Sequence, residues 1–347
     1  MRGSHRSLAH LVGVAIGIAG LAFVGVRIYR DWDEVKATLD SARIGWLIAA
    51  VLAGLASMTV IAVNWLSLIR RRGHDAPHGR GLSWFFTGQL GKYVPGGIWP
   101  VVGQAELAGR GGADRRSSYL ATVSSMAFTL LAAITVAAIT GVASPYDRRF
   151  TAILLTVGIA VVVASLAIPR LRATLGRLAA AVTRGRAELP EASVVVRYTI
   201  RHIPVWVMFG VMYICVFVSL GGDSNRELGP GLAVDLIFAA SLSWIVGFVV
   251  IGVPGGIGVR ESVFVALMTA PIGATMALSV AVAARLVTIA VDLFGALAAA
   301  TLARFSRARS MGSVRSPVDV ATAEADHPDP LLQRGSDVAA DGGRPTP

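Results

Sequence analysis

The sequence predicts an all-α polytopic membrane protein with about eight membrane-crossing helices. Three observations carry this expectation. Hydrophobic residues fill 54% of the 347 positions and charged residues only 15%, against roughly a quarter charged in soluble domains. Apolar runs long enough for a hydrocarbon core of roughly 30 Å recur along the chain. Two further apolar segments are interrupted by the same tetrapeptide, Pro-Gly-Gly-Ile, at 95–98 and at 254–257.

Taken in order, continuous helices are expected near 9–29, 44–69, 117–141, 150–169, 202–221, 231–252 and 273–303. The first run ends in Arg27, Arg30 and Asp31 with no small-residue cleavage site, so it reads as an uncleaved span and not as a signal peptide. Arginine-rich connections at 70–80, 109–116 and 170–201 mark the cytoplasmic side under the positive-inside rule. The segment 30–43 carries Asp31, Asp33, Glu34 and Asp40 and suits the outer side. This pattern makes 82–109 a re-entrant hairpin entering from the cytoplasm. It also makes 253–270 an eighth crossing, which brings the basic residues after 303 back inside with the N-terminus. A second re-entrant loop is the alternative for 253–270. Within 170–189, Leu171, Leu175, Leu178 and Val182 share one helical face, as an interfacial helix or an ordinary connecting helix would. Residues 305–347 hold five of the 15 prolines and almost no aromatics. They are expected to form a disordered cytoplasmic tail behind a membrane domain of residues 1–304.

Composition also excludes function classes. Cys215 is the single cysteine, the histidines have no ligand spacing, and HExxH, Walker-type and GxSxG motifs are absent. No metal or cofactor is expected. In so apolar a chain the net charge of +11 reads as topology and lipid contact, and no nucleic-acid partner is expected.

The two interrupted segments carry the functional reading. LSWFFTGQLGKYVPGGI (82–98) and LSWIVGFVVIGVPGGI (242–257) share Leu-Ser-Trp at one end and Pro-Gly-Gly-Ile at the other, offset by one residue, as an internal repeat would. Proline and glycine free backbone amides and carbonyls. Inside a bilayer these are tolerated only against protein or a wet cavity. Paired interruptions in corresponding halves point to a transporter binding site. A helix starting after such a break aims N–H groups and a positive dipole end at the cavity. The candidate binding residues are therefore Pro95, Gly96, Gly97, Pro254, Gly255 and Gly256, with Lys92 before the first break and Arg260 after the second. Two cations suit an anionic group such as a lipid phosphate. Glu261 is a partner for Arg260, a cationic headgroup or a proton. Tyr93 and Trp99 flank the first break as headgroup or interfacial aromatics. Arg285 and Asp292 lie two turns apart in the last span and should face the bundle interior. Arg285 has substrate, Glu261 or Asp235 as expected partners, while Asp292 reads as structural. The competing view makes both breaks mere kinks, with Lys92 and Arg260 snorkelling to the interface. Of the 32 basic residues only Lys36 and Lys92 are lysines.

GQLGKYVPGGIWPVVGQ, SWIVGFVVIGVPGGIGVRESVFVALM and ARLVTIAVDLFGAL resemble the transmembrane region of lysylphosphatidylglycerol synthases, a flippase-like family of bacterial and archaeal membrane proteins. The resemblance covers roughly residues 10–303. It implies a bundle of about eight helices that moves or handles lipids at the inner membrane. By position it carries over Gly91, Lys92, Tyr93, Pro95, Gly96 and Trp99 in the first block. In the second it carries over Pro254, Gly256, Gly258, Arg260 and Glu261, and later Arg285. Many relatives have a Glu-Arg pair in the helix after the first block. Here that stretch is SSMAFTLL (124–131), which has no charge, so a relay through it is not expected. The synthase domain is not in this sequence, so the chain itself is not expected to make lysyl-lipid.

The leading expectation is a non-enzymatic lipid translocase of the bacterial inner membrane. Its substrate would be an anionic or zwitterionic phospholipid or a polyprenyl-phosphate-linked lipid. Two other classes compete: a membrane transferase using a polyprenyl-phosphate donor with Glu261 as base, and a membrane partner of a soluble synthase.

Overall fold

The computed structural model describes residues 40–93, 99–144, 155–160, 191–222, 228–250 and 254–312, with single positions at 26, 29, 33, 36, 151 and 153. The expected span 9–29, most of 150–169, the face at 170–189, the tip residues Pro95, Gly96 and Gly97, and the tail beyond 312 lie outside the described residues.

Among the described residues every regular element is helical. The helices are α1 (Ile44–Arg71), α2 (His78–Gln89), α3 (Trp99–Arg110), α4 (Arg115–Ala143), α5 (Ala192–Ser219), α6 (Pro230–Val249), α7 (Val259–Ile272) and α8 (Ala274–Gly312). Short 3₁₀ turns, Leu90–Tyr93 and Pro254–Gly256, follow α2 and precede α7. Five helices are long and apolar enough to cross a membrane: α1, α4, α5, α6 and the Ala274–Thr301 part of α8. This makes the chain a multi-pass α-helical membrane protein.

Local chemistry sets several boundaries. Asp114 caps α4 by accepting a hydrogen bond from the Ser117 N–H at 2.7 Å. That bond holds the Asp114 carboxyl below its ordinary range, so the ionised cap is intact at neutral pH and is lost only as acid protonates it. Helix α5 starts at Ala192, ten residues ahead of the expected 202, because Val195 and Tyr198 already bury against the core. Helix α8 runs to Gly312 and so takes in residues 305–312, expected as tail. That stretch includes the good helix formers Arg307, Ala308, Arg309 and Met311, and the next proline along the chain is Pro317. By compactness the chain divides after Ala300, and residues 301–312 of the second unit are helical.

Named contacts give the direction of each helix. At one end the Arg43 N–H donates to the Ser219 carbonyl at 2.8 Å, and Ser144 Oγ donates to Asp235 Oδ1 at 2.5 Å. Leu220, Leu278 and Ala277 join the same core cluster there. At the opposite end Leu68, Ala76, Ala108, Ala113, Val195 and Ala299 pack in a second cluster. The helix centres meet at mid-height. Ser57 Oγ donates to the Val205 carbonyl at 2.9 Å and Trp206 Nε1 to the Thr129 carbonyl at 2.9 Å. Each of these residues sits at the midpoint of α1, α4 or α5. Asn64 Nδ2 donates to the Arg201 carbonyl at 2.9 Å, a helix–helix bond of the kind its apolar context suggests.

Helices α2 and α3 form an antiparallel hairpin on glycine. A Cβ on Gly111 would run into the Trp84 ring, one on Gly88 would stand 2.7 Å from the Gln104 amide nitrogen, and one on Gly91 would stand 2.8 Å from the Trp99 carbonyl carbon. Both hairpin ends therefore lie at the end of the bundle that holds Ala76 and Ala113. Gly88→Ala should cost roughly 1–3 kcal/mol by overpacking against backbone. That corresponds to a melting point several degrees lower in detergent, whereas Gly45→Ala, where a Cβ meets nothing within 4 Å, should not lower it.

Helices α6 and α7 form a second hairpin. Trp206 on α5 meets Trp244 on α6, and a Cβ on Gly210 would strike Ile237, so α5 and α6 are antiparallel. Tyr213 meets Phe264 while Arg260 stacks on Trp244, so α7 runs back alongside α6. The break between them lies beside Arg285, which sits near the middle of the Ala274–Thr301 part of α8 and donates from Nη1 to the Gly255 carbonyl at 3.2 Å. Among the described residues α7, which falls in the expected crossing at 253–270, is not one of the helices long and apolar enough to cross a membrane. The 14 residues of α7 span only about 21 Å, and they return to the end from which α6 set out. Gly255, Gly256 and Gly258 turn the chain there with φ of 58°, 68° and 81°, values open to glycine and strained for other residues. The two hairpins enter from opposite ends of the bundle, but their limbs are unequal: 12 and 12 residues in the first, 20 and 14 in the second.

Candidate functional site

The 3₁₀ turns of the two hairpins, Leu90–Tyr93 and Pro254–Gly256, meet. A Cβ on Gly255 would stand 3.7 Å from the Lys92 carbonyl oxygen and 3.2 Å from Arg285 Nη2. Around the tips five ionisable side chains gather from three directions: Lys92 from the first tip, Arg260 and Glu261 from α7, and Arg285 and Asp292 from α8.

Their partners differ. Lys92 Nζ lies 2.8 Å from Asp292 Oδ1 and 2.7 Å from Oδ2, and the Tyr93 hydroxyl also donates to Oδ2. Glu261 is engaged on both oxygens. The Gly258 N–H donates to Oε2 at 2.7 Å, closing the start of α7, and Arg285 Nη1 lies 3.7 Å from Oε1. Arg285 also donates from Nη1 to the Gly255 carbonyl at 3.2 Å, so it ties α8 to the second tip. Arg260 differs from the other two cations. Its guanidinium stacks on Trp244, 5.4 Å from the ring centroid. Its Nε is buried with no hydrogen-bond partner among the described residues, where no carboxylate pairs with it. Among the described residues three cations thus face two carboxylates, and one positive charge is left over.

Lys92 and Arg260 both line one cavity of about 70 Å³. This is room for on the order of five water molecules. Its other walls are Gly54, Ser57, Thr129, Met212, Trp206, Trp244 and Thr288, among others. Ser57, Thr129 and Trp206 are midpoint residues of their helices, which puts the cavity at mid-height of the bundle. The three hydroxyls donate to backbone carbonyls, Ser57 to Val205, Thr129 to Ser125 and Thr288 to Ala284. Their lone pairs remain as acceptors. Gly54 lets α8 approach; a Cβ there would stand 2.6 Å from Val291 Cγ2.

Of the residues marked in the sequence, Lys92, Tyr93, Gly255, Arg260, Glu261 and Arg285 converge on this region. Gly256 supports it: a Cβ there would stand 2.7 Å from Arg260 Nε. Pro254 opens the turn. Trp99 starts α3, is 44% exposed and is not among the cavity's lining residues. Glu106 pairs with Arg115 and accepts from the Tyr119 hydroxyl at 3.1 Å, away from the site. His202 is fully buried, its Nδ1 2.6 Å from the Tyr198 carbonyl. Sequence reasoning missed the part Asp292 plays. Its seven-residue spacing from Arg285 was visible, but its tie to Lys92 crosses 200 positions of chain. It also missed the walls supplied by Ser57, Thr129 and Trp244. Trp244 stood in view within the Leu-Ser-Trp repeat; its counterpart Trp84 packs over Gly111 instead.

These features define a class: a polytopic α-helical membrane protein with a mid-height cavity lined by two cationic side chains, Lys92 and Arg260. Residues 10–295 match the family of the lysylphosphatidylglycerol synthase transmembrane region, and the chain belongs to that family. Among curated proteins the chain has no match.

Proposed function

We propose that the protein is a lipid translocase of the bacterial inner membrane and that its mid-height cavity receives the phosphate of an anionic or zwitterionic amphiphile, a phospholipid or a polyprenyl-phosphate-linked lipid. The observation that carries this reading is Arg260, without a carboxylate partner among the described residues, sharing one cavity with Lys92. A buried cation without a counter-ion is costly, and a phosphate supplies both the charge and the acceptors that a guanidinium fork needs. Two hairpins entering from opposite ends resemble the inverted repeats of secondary transporters, in which breaks meet at a central site and the two halves rock around it.

An enzymatic reading draws less support. Glu261, its candidate base, has both carboxylate oxygens engaged. The assay is translocation in proteoliposomes holding a fluorescent phosphatidylglycerol, with dithionite bleaching the outer leaflet. Wild type should expose the inner-leaflet pool to dithionite and Arg260→Gln should not. Equal protection with and without protein, under either sign of imposed pH gradient, would count against translocation.

In this reading the end bearing Arg70, Arg71, Arg72, Arg80, Arg110, Arg115 and Arg116 is cytoplasmic, and α8 reaches that same end at Ala299. In a Cys215→Ala background, Asp75→Cys should react with an impermeant maleimide only after permeabilisation, and Leu228→Cys in intact cells. Both positions are exposed. The reverse labelling would invert the orientation.

A further inference from the structure

The Lys92–Asp292 pair has an asymmetry that the anion site alone does not require. The Lys92 side chain keeps 22% of its surface open and lines the cavity, while Asp292 is 0% exposed. The lysine can turn on its flexible stem toward a ligand, whereas the carboxylate is fixed in the packed face of α8. Asp292 holds the lysine in a bidentate grip resembling the one a phosphate would offer. A phosphate entering between Arg260 and Lys92 therefore competes with Asp292 for the same ammonium.

When Lys92 turns away, Asp292 keeps, among the described residues, the Tyr93 hydroxyl as its one donor. A buried carboxylate with no counter-charge is among the costliest groups in a protein interior. The remaining charged groups offer no replacement. Arg285, on the same helix, is held by Gly255 and Glu261. Arg260 would be occupied by the phosphate. Glu261, on α7, is itself negative and fully engaged. The one group small enough to neutralise Asp292 in place is a proton.

We propose that Asp292 is the coupling carboxylate of this site: a phosphate takes Lys92, Asp292 takes up one proton from water, and the two are bound and released together. This rests on the anion-binding reading above and adds to it a driving ion, so that a proton gradient can power net lipid movement.

The test uses the whole protein in nanodiscs of neutral lipid, titrated with dioctanoyl-phosphatidylglycerol, whose phosphodiester does not titrate between pH 5.5 and 8.5. Calorimetry in two buffers of different ionisation heat counts protons taken up per lipid bound. The expected count is about one. Because each binding event takes up one proton, Kd should weaken as pH rises, by up to about tenfold per unit. Asp292→Asn should bind with no proton uptake, no pH slope and higher affinity at pH 8, because its Lys92 is already free. Binding that Arg260→Gln abolishes but that takes up no proton would overturn the coupling and leave the anion site standing. A sodium-dependent Kd without proton uptake would overturn it equally. No binding by wild type at any pH, or equal binding by Arg260→Gln, would remove the anion site itself and the coupling with it. Inorganic phosphate titrated in parallel separates recognition of the lipid from recognition of the bare anion.

Discussion

Arg260→Gln should weaken binding of a short-chain anionic phospholipid by at least about 30-fold, equivalent to about 2 kcal/mol, while leaving the melting point within a few degrees of wild type. The reasoning lies in what Arg260 lacks. It has no carboxylate partner among the described residues, so its removal strands no buried charge. The loss on the folding side is its stacking on Trp244, worth about 0.5–2 kcal/mol, offset by relief of a buried cation. The ligand instead loses the planar fork. Arg260→Lys keeps the charge without the fork and should fall between the two. Arg304→Gln, beyond the cavity in sequence and helix, is the control and should bind as wild type does. Titration in neutral nanodiscs, with thermal unfolding of the same samples, checks both halves. Unchanged affinity for Arg260→Gln would separate the cavity from lipid binding.

Lys92→Met should be the most destabilising of the charge substitutions, by about 3–5 kcal/mol, because it leaves Asp292 buried with an uncompensated charge. Asp292→Leu should cost much less, since the released lysine has open surface to turn to. The double variant Lys92→Met/Asp292→Leu should recover most of the stability lost in Lys92→Met, because an apolar pair of similar volume replaces a buried ion pair at little net cost. Thermal unfolding of the four proteins closes the cycle. A double variant no more stable than Lys92→Met would mean that the lysine is held by something other than Asp292. Recovery of stability without recovery of lipid binding would assign Lys92 to both packing and ligand.

The helical class and most long helices were legible because hydropathy reads directly onto bilayer thickness. Expected spans at 44–69, 117–141 and 231–252 correspond to α1, α4 and α6 within a few residues. The turn at the second Pro-Gly-Gly was legible as well, since these residues free backbone groups and favour a turn, while the first lies outside the described residues. The depth of the second break was not. A run of 20 apolar residues followed by another apolar stretch reads alike whether the turn falls at mid-height or at the far face. The level is set by contacts such as Arg285 with the Gly255 carbonyl, which couple distant parts of the chain. The pairing of charges was hidden for a related reason. Five intramembrane ionisable residues can be named from sequence, but nothing local says that Lys92 belongs to Asp292 and Arg285 to Glu261. The first pair joins a hairpin tip to the last helix. The start of α5 was placed late because Arg197 and Arg201 lower the local hydropathy, although their helix already buries Val195 and Tyr198.

Native mass spectrometry of the gently solubilised protein tests the central claim most directly, comparing wild type with Arg260→Gln and identifying what each retains. The cavity at the meeting of the two breaks predicts a phosphate-bearing lipid held by wild type and absent from the variant, with both proteins equally folded. Retention of the same lipid by both, or of no selective lipid by wild type, would contradict an anion site between Lys92 and Arg260 and make the two breaks architectural.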